Sequence, residues 1–410
     1  MPRALFLALL AALGGATACD VDEPTAPVSA PDRPAADVVV SASLATLLGR
    51  ATVDDQGNVG TFTSLVSSSN GAQHIAYRDE TNPRLKYAVC FSNCTVAANW
   101  QPGVIDQSAG VGYWSSLKVH SGVRHVVYTG GKGTLKYARC SSNCLLEGNW
   151  IKDVIGAGVH SPSLTVGASG RLYVSAIRTS NGELLYATCL TDCTDYAKWE
   201  VAVVDPSSSP VPQTGTSIAV SSDGRRHITY ERGGQLRYAT CLASCTNTAN
   251  WHFVTADQGS ASVGYYSSLA VDANGVRRVS YYDRTNKDLK FARCAANCTN
   301  SAGWARVTVD KGAGVAGTTV GEYSSLAFAD GKVHVSYYDR SGGRLKYAKC
   351  GADCLQSGNW TRQNVEGGCN AYLICTDVGR FTSLKLGGGK VHISHYNFTK
   401  GDLRYTELAP

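Results

Sequence analysis

The chain has 410 residues, a net charge of +6, only 17% charged residues, 43 glycines and 21 tyrosines against 8 phenylalanines. That composition is all-β, surface-rich and extracellular in type. Its Lys and Arg recur along the chain without forming a basic stripe, which argues against nucleic acid as a partner, and the only long apolar run lies at the N-terminus.

Residues 1–18 read as an export signal, with a basic Arg3, an apolar core from Leu5 to Leu13 and small residues before Cys19. Two processing routes meet at the same bond. Ala16-Thr17-Ala18 satisfies ordinary signal peptidase, and small residues running into a cysteine resemble the lipobox of bacterial lipoproteins. The second route makes Cys19 the lipidation site and membrane anchor, with residues 19–43 as an acidic, Pro-rich tether that cannot bury a core.

From residue 44 to 410 one unit of about 50 residues recurs, clearest in GYYSSLAVDANGVRRVSYYDRTNKDLKFARCAANCTNSAGWARVTVD. Each unit holds four β-rich segments separated by Gly-, Asn- and Ser-rich turns. Leu65, Leu117, Leu164, Ile218, Leu269, Leu326 and Leu384 mark the first segment of seven units. The fold expected is an all-β, seven-bladed β-propeller of four antiparallel strands per blade. The last unit lacks its fourth strand, and Leu47 to Asp54 supplies it, closing the ring from the N-terminal side.

Six cysteine pairs fall between third and fourth strands: Cys90 and Cys94, Cys140 and Cys144, Cys189 and Cys193, Cys241 and Cys245, Cys294 and Cys298, and Cys350 and Cys354. Each is followed by a tryptophan at constant spacing: Trp100, Trp150, Trp199, Trp251, Trp304 and Trp360. Two thiols per turn, with no recurring His or third Cys, fit a disulfide better than zinc. Cys369 and Cys375 make a seventh pair, which leaves Cys19 over and favours its lipidation. Export and oxidised pairs agree.

Strand alternation puts the Cys-Trp turns on one face of the disc and the length-variable loops on the other, where a site is expected. Three residues before each marker stand Phe62, Trp114, Ser161, Gly215, Tyr266, Tyr323 and Phe381, five of them aromatic. Rings around a channel mouth suit stacking on sugars, and they also suit wedging blades together. Asp283 and Asp339 end second strands on the same face. His74, His125, His227, His334 and His392 form a structural column, whereas His160 and His395 break the pattern and are the candidates for acid-base work or ligand contact. Asp54, Asp106, Asp205, Asp257 and Asp310 end fourth strands and are expected as turn caps or as salt-bridge partners for a basic column of Lys86, Lys136, Arg237, Lys290, Lys346 and Arg404. A calcium site made from some of them would lack an EF-hand ligand loop, and no cofactor is assigned.

The units YSSLAVD…GVRRVSYYD…DLKFA and YSSLAFADGKVHVSYYDRSGGRLKYA resemble the repeats of bacterial secreted β-propellers loosely grouped with sialidase-like or BNR-repeat proteins. The resemblance implies fold and location more than activity. The Asp box of that family, Ser-x-Asp-x-Gly-x-x-Trp, is absent, its turn being taken by the cysteine pair. Arg78, Arg178, Arg232, Arg284 and Arg340 lie near the top as an anion-binding set, with Glu231 beside Tyr230 as the nearest approach to a nucleophilic pair. Three functions stay open: a surface-displayed, non-catalytic module for carbohydrate or an extracellular polymer; a polysaccharide lyase or glycoside hydrolase using His395, Tyr338 and Arg340; and a scaffold for a protein partner.

Overall fold

The alternation of apolar and polar residues in each repeat, broken by glycine turns, produces four short antiparallel strands whose two faces both meet protein. A computed structural model describes residues 44–206, 215–259, 262–312, 318–369 and 374–410. The expected export signal, lipidation at Cys19 and tether fall outside these residues.

Blade 1 is Val59–Ser67, Gln73–Asp79, Arg84–Cys90 and Gln101–Asp106, each strand antiparallel to the next. The same order recurs in blades beginning at Tyr113, Val159, Ser217, Val263 and Val320. In blade 7, Thr46–Asp54 pairs with Asp402–Ala409, which pairs with Lys390–Asn397 and that with Val378–Gly387. The seven-bladed ring closed by its N-terminal strand is therefore as expected, with no α-helix among the described residues. Blade 6 gains a two-residue fifth strand, Cys375–Thr376, beside the Cys369–Cys375 disulfide.

The core lies between blades. Leu85 and Ile105 of blade 1, for example, pack with Leu117, Val126, Tyr128 and Trp150 of blade 2. All six turn cysteine pairs are disulfides, joining Cys90 to Cys94, Cys140 to Cys144, Cys189 to Cys193, Cys241 to Cys245, Cys294 to Cys298 and Cys350 to Cys354. They belong to the core and not to an exposed thiol site. Cys94, Cys144, Cys193, Cys245 and Cys298 are buried in the clusters between blades, and Cys354 is half-buried against its own.

The tryptophan after each pair donates its indole N–H to the carbonyl of the second cysteine. Trp100 donates to Cys94, Trp150 to Cys144, Trp199 to Cys193, Trp251 to Cys245, Trp304 to Cys298 and Trp360 to Cys354, at 2.8–3.0 Å. Each ring then turns onto the preceding blade, as that of Trp150 does on Tyr87 at 5.6 Å. Disulfide and indole thus tie the turn to its neighbour.

Two further bond systems join the blades. The serine before every marker accepts the backbone N–H of the next blade's marker: Ser64 from Leu117, Ser116 from Leu164, Ser163 from Ile218, Ser217 from Leu269, Ser268 from Leu326, Ser325 from Leu384, and Ser383 from Leu65, at 2.9–3.3 Å. These donors lie on inner strands with no further strand to pair with, so the serines satisfy what the sheets leave open. The second system runs from the carboxylate ending one blade to a ring on the second strand and a base on the third strand of the next. Asp106 accepts from Tyr128 at 2.7 Å and Lys136 at 2.5 Å. Asp54, Asp257 and Asp310 do the same with Tyr77 and Lys86, Tyr281 and Lys290, and Tyr337 and Lys346. Asp205 departs from the expected pairing with Arg237 and takes Tyr230 and Arg232.

Candidate functional site

The first strand of a blade does not run straight to the channel mouth. A bulge interrupts pairing between Thr61 and Ser64, Tyr113 and Ser116, His160 and Ser163, Tyr265 and Ser268, Glu322 and Ser325, and Arg380 and Ser383. At each bulge one residue has left-handed backbone: Phe62, Trp114, Ser161, Tyr266, Tyr323 and Phe381, at φ 52–55°. That conformation is disfavoured for bulky side chains, at roughly 1–3 kcal/mol each, and persists only where neighbours impose it. The neighbours are visible. Ser115 donates to the carbonyl of Phe62 at 2.7 Å, Thr63 to that of Phe381 at 2.9 Å, Ser324 to that of Tyr266 at 3.0 Å and Thr216 to that of Ser161 at 3.1 Å.

The bulges aim these side chains at one open bowl of about 170 Å³ over the channel, lined by all seven residues of the column and floored by the hydroxyls beside them. Trp114, Phe62, Phe381, Tyr323 and Tyr266 form an unbroken arc across blades 2, 1, 7, 6 and 5, with successive ring centroids 4.9, 4.6, 4.7 and 4.6 Å apart. Ser161 and Gly215 leave the arc open over blades 3 and 4. All five rings are half-buried, with one part packed and one part reachable. Burial and the nearby Glu322 carboxylate push the Tyr323 hydroxyl up in pKa, and burial with the Tyr323 and Glu322 charges does the same for Tyr266, so both stay protonated donors.

Other sequence candidates sit elsewhere. Asp283 caps its hairpin by accepting Thr285 and Asn286 backbone N–H groups, and Asp339 accepts from Gly342. Both are buried, so neither presents a carboxylate to the bowl. His160 is buried beside Ser161, 3.0 Å from its hydroxyl, and burial lowers its pKa to about 4, leaving it neutral at physiological pH.

His395, Tyr338 and Arg340 are each bonded to a partner of their own. His395 has no exposed surface; it occupies the ring position of the blade-joining system, 3.4 Å from Glu366 and 3.2 Å from Thr406, with Arg404 completing the set at 2.8 Å from Glu366. Tyr338 donates to Asp377 at 2.7 Å, and Arg340 is clamped by both oxygens of Glu322. The arginines are also tied locally: Arg78 to Glu80 at 2.9 Å, Arg178 to Glu183 at 3.0 Å and Arg232 to Asp205 at 2.8 Å. Tyr230 bonds Asp205, and Glu231 accepts from Gly234. The histidine column bonds tyrosine hydroxyls, as His334 does Tyr347 at 2.6 Å. Among the described residues no three His, Cys, Asp or Glu side chains converge as metal ligands would.

No protein-family model matches the sequence, and no curated protein does. Solved structures do match the fold. The ulvan lyase of family PL25, bound to a GlcA(1-4)Rha3S unit, superposes with a TM-score of 0.57 at 10% identity, over 88% of this chain and 94% of its own. The polysaccharide lyase Uly1 gives 0.50 at 11% identity, over 87% and 90%. The Aleuria aurantia lectin with Fucα1-6GlcNAc gives 0.49 at 13% identity, over 75% and 96%. Blade count and bond systems, with the fold likeness to the two lyases, define the chain as a seven-bladed β-propeller.

Proposed function

We propose that the protein binds carbohydrate, as a free sugar end or an extracellular polymer, by stacking it on the aromatic arc. The observation that carries this reading is the comparison between blades. Ser161 keeps the left-handed backbone and the hydrogen bond from Thr216 without any ring, and Gly215 occupies the same place in blade 4. Blade closure thus does not require aromatic side chains here, and five strained positions nevertheless carry them. Half-exposed rings over a hydroxyl floor match a pyranose, which has one apolar C–H face and polar edges.

A catalytic role gains nothing comparable, since among the described residues the bowl lining holds neither carboxylate nor imidazole. Lyase folds among the structural neighbours support polysaccharide as a ligand class for this reading. Display outside the cytoplasm, on a lipid at Cys19, belongs to the same proposal and is supported by the seven disulfides.

A glycan array followed by calorimetric titration tests the proposal. Trp114→Ala with Tyr323→Ala should weaken binding of a selected glycan at least tenfold while leaving the fold intact by circular dichroism. Absence of any glycan ligand, or affinity unmoved by the pair, overturns it.

A further inference from the structure

Six of the seven blade junctions hold a carboxylate, a ring and a base: five have tyrosine with aspartate, and the blade 6 to 7 junction has Glu366, His395 and Arg404. The junction of blades 2 and 3 has none of the three. By register, Gly156 stands where the carboxylate ends the fourth strand, Ala176 where the ring leaves the second strand, and Leu185 where the base leaves the third.

Loss of one member alone would strand a buried charge or hydroxyl, whereas joint loss leaves the junction apolar. Such a replacement normally fills the vacated volume with larger apolar groups, because interiors are close-packed. Here two of the three are among the smallest residues. The result is a cavity of about 220 Å³ walled by Leu135, Ile155, Val159, Val174, Ala176 and Leu185. At its rim stand Tyr196, which is 61% exposed, and the half-exposed Arg178. Apolar cavities of about 150 Å³ stay dry and admit benzene.

We propose that this cavity is a second binding site, for a small apolar molecule or terminal group carrying one aromatic ring, from benzene to indole in size. The class follows from what the space has lost: a planar ring in every other junction, together with the charges that would have kept it wet. The site is separate from the bowl and independent of whether the bowl binds sugar.

The test uses the whole folded protein, titrated with benzene, toluene and indole by ligand-observed NMR and by thermal shift. The unsubstituted protein should bind and be stabilised as ligand concentration rises. Ala176→Phe, which fills the hole with a ring of the protein's own, should weaken binding at least tenfold, and Trp114→Ala should leave it unchanged. Leu185→Phe closes the same space from another strand and serves if Ala176→Phe does not fold. No binding of any of the three probes, or binding insensitive to a folded filling variant, overturns the proposal.

Discussion

Removing the Asp106 carboxylate should destabilise the ring by about 2–4 kcal/mol, and most of that loss should vanish in acid. Asp106 has almost no exposed side chain; it receives Tyr128 at 2.7 Å, Lys136 at 2.5 Å, and the Ser108 hydroxyl and backbone at 2.6 and 3.0 Å. Burial alone would oppose its charge, but the bonds from Lys136, Ser108 and Tyr128 prevail and hold its pKa at about 2, against an ordinary 3.8. That difference corresponds to roughly 2.4 kcal/mol, at about 1.36 kcal/mol for each pH unit. Breaking a buried pair by deleting one partner costs about 3–5 kcal/mol, and Lys136 keeps some contact with water, so the lower half applies. Because the folded-state pKa is depressed, this stabilisation is complete above about pH 4 and lost as pH falls through about 2. Urea unfolding of the oxidised protein and of Asp106→Ala, followed by fluorescence from pH 2 to 7, measures it. An unchanged midpoint at pH 7, or a difference that persists undiminished at pH 2, refutes the reasoning.

Three other perturbations separate the remaining forces. Lys118 and Lys385 follow the markers of blades 2 and 7; burial, then the charge of Lys118, lowers Lys385 to about 7 from 10.5. A depressed lysine is a penalty that is full below about pH 7 and gone above 10.5, so Lys385→Met should raise the melting temperature at pH 6 and have little effect at pH 10.5. Ser325→Ala removes the acceptor of the buried Leu384 N–H and should cost about 1–3 kcal/mol in urea unfolding. Replacing Cys294 and Cys298 by serine should cost roughly 2 kcal/mol, read as the same loss that reduction gives at that turn alone.

Period and alternation made the ring legible, because every blade repeats its glycine turns and marker and six of the seven repeat the Cys-Trp turn. The aromatic column was also legible as a column, but not as a strained one. Strict two-residue alternation cannot express a bulge, and the signal for it lies two residues earlier, in Gly60, Gly264, Gly321 and Gly379. These have φ of 101–111°, and a Cβ on them would come within 2.6–2.8 Å of a leucine Cα in the neighbouring blade. The unbroken serine column before the markers was equally present and equally silent, since its partner is the next blade's backbone. His395 misled for a related reason. An imidazole in a tyrosine column reads as chemistry until the fourth strand of one blade is seen to face the second strand of the next, which brings Glu366 and Arg404 to it.

The columns differ in what constrains them. The serine repeats in all seven blades because it accepts the next blade's marker N–H, and the tryptophan in six because it donates to the carbonyl of the second cysteine of its turn. The carboxylate and ring change only together, to Glu366 and His395 with Arg404 at one junction and to Gly156 and Ala176 with Leu185 at another, whereas at Asp205 the base alone moves, to Arg232. The bowl column loses its ring in blade 3 without losing its backbone: Ser161 beside Trp114 keeps the left-handed conformation and the bond from Thr216. A side chain that the backbone bonds of its position do not require is free to be chosen by a ligand. That freedom favours sugar recognition at the arc and makes the concerted loss at the junction of blades 2 and 3 a separate event, answering to a different occupant.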